Sequence, residues 1–113
     1  MNNMLNCVKR NKIYKNRKLV FYQDKKRVCD VTPWCGWFSV NQNLDIETHK
    51  EIRNLTLNNL YWLLGHDCDF DEWKNSIDAW NEGKHIYGVP IDKLSSMFFS
   101  EEEMNVALNS FYN

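Results

Sequence analysis

The stretch from Asn54 to Glu82 constrains this chain most, because two helical patterns meet in it. Before Gly65, the apolar residues Ile52, Leu55, Leu60, Leu63 and Leu64 recur at helical spacing, and Tyr61 and Trp62 widen the stripe. After Asp69, the residues Phe70, Trp73, Ile77 and Trp80 do the same. The joint between them reads Gly65-His66-Asp67-Cys68-Asp69. Glycine stands where a helix closes in left-handed backbone, and aspartate stands where the next helix needs an acceptor for its free N–H groups. Asp69 and Glu72 have capping-box spacing. One helix is therefore predicted over about 46–64, capped by Asp45 or Asn43, and a second from Asp69 to Gly83.

Upstream, the pattern is that of strands. Lys18-Leu19-Val20-Phe21-Tyr22 is β-branched and aromatic, residues 23–26 make a turn, and Arg27-Val28-Cys29-Asp30-Val31 alternates as a returning strand. Regular alternation puts Val28 and Cys29 on opposite faces. The turn lacks the Asn-Gly or Asp-Gly pair that marks a tight hairpin. Pro33 interrupts the run, and residues 34–40 read as a third strand in which Gly36 permits a bulge or a close backbone approach. Residues 4–8 suggest a short edge strand. Downstream, residues 85–90 read as an extended connector that can form a short edge strand, and residues 91–99 as a short helical turn. Ser100-Glu101-Glu102-Glu103 is a capping box opening a last helix with Met104, Ala107, Leu108 and Phe111 on its apolar face. The expected fold is α+β: one domain over 1–113, with a small N-terminal antiparallel sheet of about three strands and about three helices packed on it.

Charge divides the chain. Residues 1–28 hold nine basic side chains and one acid, a local charge of +8, whereas the rest carries −9. The basic arm and hairpin (1–31) and the acidic helical part (44–113) therefore suit different partners. No apolar run reaches the roughly 18 residues that span a membrane, and the basic N-terminus lacks an apolar core and a cleavage site. The expected setting is cytoplasmic, with Cys7, Cys29, Cys35 and Cys68 as free thiols and no membrane partner.

Chemical motifs are sparse. Asp67 to Asp71 opens like a calcium loop, but Glu72 stands where glycine must turn the loop and Asp78 where a bidentate glutamate belongs. Cys29, Cys35, His66 and Cys68 lack zinc-finger spacing, so cysteines as small core residues are expected instead. No signature surrounds a cysteine nucleophile, no glycine-rich phosphate loop occurs, and His49 and His85 are expected at the surface. A helix-turn-helix reading of 46–82 fails because its second helix would carry acids towards phosphates. The expectation is a protein that is not an enzyme, needs no cofactor or metal, and inhibits a partner protein. The settings that fit are an immunity protein for a nuclease toxin or a phage-encoded, anti-CRISPR-like inhibitor of a bacterial defence nuclease. Asp67, Asp69, Asp71, Glu72, Trp73, Asp78, Glu82 and Tyr87 are the candidate contacts to a partner with a basic surface or cleft. The alternative is a nucleic-acid-binding accessory protein that uses Lys18, Lys25, Lys26 and Arg27 on the basic hairpin, with Tyr14, Phe21 and Tyr22 among them.

Overall fold

The computed structural model describes residues 5–11, 17–32, 36–40, 43–64 and 69–112. The alternating segments form a five-stranded sheet in the order β1 (Leu5–Asn11), β2 (Arg17–Gln23), β3 (Lys26–Thr32), β4 (Gly36–Ser39) and β5 (Ile86–Tyr87). The first four strands are an antiparallel meander, and β5 pairs parallel to β4. The α+β class is therefore as expected, but the sheet has five strands, one of them parallel, instead of about three antiparallel ones, and the described residues form more helices than the three or so expected. The suggested edge strand at 4–8 extends to Asn11, and the extended connector contributes β5 as the far edge. Parallel pairing of β4 and β5 requires backbones to approach closely at both ends. A Cβ on Gly36 (φ 74°) would collide with the His85 carbonyl, and one on Gly88 (φ 80°) with the Ser39 carbonyl. The Trp37 N–H donates to that same His85 carbonyl at 2.7 Å.

Two local features depart from regular alternation. Asp24 and Lys25, the two central residues of the β2–β3 turn, both have positive φ (53° and 68°). This is the left-handed geometry that two-residue hairpins demand, adopted here without glycine. Further along the same strand pair, the register steps from Phe21↔Cys29 to Tyr22↔Arg27 and leaves Val28 as a bulge residue. Val28 and Cys29 consequently both join the core instead of facing opposite ways.

The helices are α1 (Ile46–Asn58), α2 (Leu60–Leu64), α3 (Phe70–Asn81), α4 (Ile91–Leu94) and α5 (Glu101–Tyr112), with a 3₁₀ turn at Ser95–Met97 between the last two. Asp45 caps α1 by accepting the Thr48 N–H at 2.8 Å. The single helix expected over 46–64 is broken at Asn59. There, the backbone N–H and the side-chain amide both donate to the Leu55 carbonyl, which closes α1 one turn early. Ser100 and Glu103 form the reciprocal capping box read from the sequence: Glu103 N–H donates to Ser100 Oγ at 3.1 Å, and Ser100 N–H donates to Glu103 Oε1 at 2.9 Å. The inward residues Leu19, Phe21, Val31, Trp37 and Ile86 form one core with Ile52, Leu60 and Leu63, with Ile77 and Trp80 of α3, and with Met97 and Phe99.

His49 is the main correction to the surface assignment. It is 0% exposed and lies edge-on to Trp37, with ring centroids 5.7 Å apart. Among the described residues, neither ring nitrogen has a hydrogen-bond partner, and nor does the Trp37 indole N–H. Burial, reinforced by Lys93, pushes the His49 pKa down, while Asp45 opposes this weakly. The ring is therefore neutral in the fold.

Two predictions follow from these features. Lys25→Gly should stabilise the protein by a few tenths to about 1 kcal/mol in urea denaturation, because glycine occupies left-handed backbone without a Cβ penalty. The unfolded chain protonates His49 below about pH 6.5 while the fold resists, so stability should fall as pH drops from there towards the lowered folded value. Denaturation at about pH 7.5 and about pH 5.5 should show a loss that His49→Leu reduces.

Candidate functional site

The candidate partner residues separate by burial. Helix α3 forms because Asp69 caps it, accepting the Glu72 N–H at 2.8 Å, and because acids occupy its positive end. Its inner stripe is Trp73, Ile77 and Trp80. Its outer face carries Asp71, Glu72, Asp78 and, at its end, Glu82, all exposed, with Asp69 exposed at its start. Asp71, Asp78 and Glu82 fall at helical spacing along one line. Lys74 reaches Asp78 at 3.9 Å, and Lys84 reaches Glu82 at 2.6 Å. Both pairs lie on the surface, where ion pairs hold weakly and screen easily. Trp73 is 2% exposed and belongs to the core, so it supports this face from below and does not stand out from it. Asp67 lies outside the described residues.

Tyr87 belongs to a different surface. It lies on β5, 51% exposed, with its hydroxyl donating to the Lys84 carbonyl at 3.3 Å. Its register partner on β4 is Phe38, which is 54% exposed and which sequence reading did not single out. The available signal was the residue's position between Trp37 and Ser39. If Trp37 packs inward, strand alternation turns Phe38 outward.

The basic hairpin residues are also placed. Lys25 and Lys26 are at the exposed turn. Lys18 and Arg27 converge on Asp30 at 3.8 and 3.7 Å. Phe21, one of the aromatics expected among these cations, is fully buried on the other side of the sheet and cannot stack a ligand there. Tyr22 remains half-buried, and Tyr14 lies outside the described residues. A further pair of cations faces the helices: Lys9 and Arg17 lie 5.4 and 5.6 Å from the Trp62 ring centre, and Arg17 donates to the Trp62 carbonyl at 2.8 Å.

The two described cysteines are both held towards the protonated thiol. Burial pushes the Cys29 thiol well up, the neighbouring Asp30 adds to this, and the half-buried Cys7 is raised by burial too. Neither favours the reactive thiolate. Cys35, His66 and Cys68, the other candidate metal ligands, lie outside the described residues. A largely apolar pocket of about 310 Å³ opens between the sheet and α1–α3, where Thr56, Leu60, Ile77, Trp80 and Phe99 contribute to its lining. A wider cleft of about 500 Å³ separates α1 and α2 from α5. Arg53 and Glu103 pair across the helices beside it. Burial raises the Glu103 carboxyl, but hydrogen bonds from Ser100 and Arg53 outweigh burial and leave it lowered overall.

No protein-family model matches the chain, and no curated protein or solved structure matches it significantly. Among the described residues, no helix is long and apolar enough to cross a membrane.

The acidic face depends on α3 holding its start. Asp69→Ala should cost about 1 kcal/mol in urea denaturation, while Asp69→Asn should keep most of the cap.

Proposed function

We propose that this chain is a non-enzymatic inhibitor that neutralises a partner protein by docking against a basic surface or cleft. An immunity protein for a nuclease toxin and a phage-encoded inhibitor of a bacterial defence nuclease are the settings that suit it. The observation that carries this reading is the outer face of α3. Its carboxylates are exposed, while Trp73, Ile77 and Trp80 fix the opposite side of the helix in the core. A rigid helix loses little freedom on docking, so its charge is presented at low entropic cost. Clustered carboxylates draw in a cationic partner, accelerate encounter and reject acidic surfaces.

The test begins with tagged protein in a nuclease-treated host lysate, followed by purification of the bound partner. Reversing charge at Asp71, Glu72 and Asp78 together should then weaken the purified pair at least about tenfold, mainly through the on-rate, and flatten its salt dependence. Unchanged affinity and unchanged salt dependence would refute the reading.

A further inference from the structure

We propose that the outward face of the sheet binds single-stranded nucleic acid, stacking bases on Tyr22, Phe38 and Tyr87 and holding phosphates with Arg10, Lys18 and Arg27. This surface lies on the side of the sheet away from the helices and does not depend on the acidic face of α3.

Register defines the surface. Strand alternation sends Leu19, Phe21, Val31, Trp37 and Ile86 into the core, so the residues between them face outward. One outward row runs Val8, Val20, Asp30, Phe38 and Tyr87 across all five strands; Val20 in it is covered at 3% exposed and Asp30 is half-buried, so the row is open at its Phe38 and Tyr87 end. Tyr22 and Arg27 are paired in the row on one side of it, and Arg10 and Lys18 in the row on the other. Phe38 and Tyr87 are more than half exposed on adjacent strands, and Tyr22 stands two strands and one outward row from Phe38, roughly 12 Å away at ordinary strand and residue spacing.

The charge pattern selects the occupant. Arg10 stands directly opposite Lys18 across β1 and β2. Like charges in that position repel, and an anion lying over them relieves the repulsion. Asp30 draws Lys18 and Arg27 towards each other from between them. That carboxylate offsets only part of the positive charge, and Lys25 and Lys26 at the hairpin turn add to it. A polyanion is thus the complementary partner, and exposed rings beside the cations add what a bare phosphate site would lack. Stacking on them requires bases free of a duplex, which favours a single strand.

The test is fluorescence anisotropy with the full chain and labelled oligo-dT and oligo-U of about 15 nucleotides, against a duplex of equal length, at ~50 mM salt. Single strands should bind more tightly than the duplex, with affinity falling steeply as salt rises. Phe38→Ala and Tyr87→Ala should each weaken binding about tenfold, and Lys18→Gln with Arg27→Gln should flatten the salt dependence. Circular dichroism and thermal melting of each variant separate lost binding from lost folding. Three outcomes would overturn the proposal. The first is no binding of either oligonucleotide at low salt. The second is equal binding of the duplex with both aromatic variants indifferent, which is plain polyanion exchange. The third is self-association that Phe38→Ala abolishes while no oligonucleotide binds, which would give the face to a second copy of the chain. Because the acidic residues of α3 are untouched in these variants, failure here leaves the inhibitor reading standing, and failure of charge reversal on α3 leaves this one standing.

Discussion

The edge-to-face contact between Trp37 and Trp80, at 6.0 Å and 75°, joins the two layers of this protein. Trp37 comes from the middle of β4 and Trp80 from the last turn of α3. Each spreads the contact further. Trp37 also meets His49 of α1, and Trp80 stacks on Phe99 at 5.3 Å while its indole N–H donates to the Met97 carbonyl at 2.7 Å. Such aromatic pairs contribute about 0.5–1.5 kcal/mol each beyond the area they bury. Their larger effect here is geometric. One continuous cluster sets the position of the sheet, α1, α3 and the segment leading into α5.

That segment is held by polar contacts as well as packing. Asn81 brackets Phe99, its amide nitrogen donating to the Phe99 carbonyl at 3.1 Å and its oxygen accepting the Phe99 N–H at 2.8 Å. Arg53 donates to the Phe98 carbonyl at 3.1 Å, and Lys93 to the Leu44 carbonyl at 3.0 Å. With the helices gathered on one side, Phe38 and Tyr87 are left exposed on the other. The two candidate surfaces follow from this arrangement. Carboxylates lie on the outside of the helical layer, cations and aromatics on the outside of the sheet, and the shared core separates them.

Most local structure was legible from the residues themselves. The helix caps at Asp45, Asp69 and Ser100 and the strands on both sides of the 23–26 turn were readable because each depends on neighbours within a few positions. The break at Asn59 was missed because the hydrophobic period runs straight through it, while the Asn59 side-chain amide adds a second donor to the Leu55 carbonyl at the end of α1. The bulge at Val28 was missed because strand alternation gives no sign of an extra residue. His49 was assigned to the surface because an isolated histidine between Thr48 and Lys50 looks polar, yet it lies on the same helical stripe as Ile52 and Thr56.

By itself, the sequence determined the class of fold, the position and polarity of the main helices, the hairpin, and the division of charge between the two ends of the chain. These rest on propensity, capping and composition, which act over a few residues or need no geometry at all. Tertiary structure decided which side chains share a surface. Parallel pairing of β4 with β5, made possible by Gly36 and Gly88, brings Phe38 beside Tyr87 although 49 positions separate them. The same folding buries Trp73 and Phe21, which sequence reading had offered to partners. Burial and long-range adjacency depend on how layers close over one another, and only the packed core settles that.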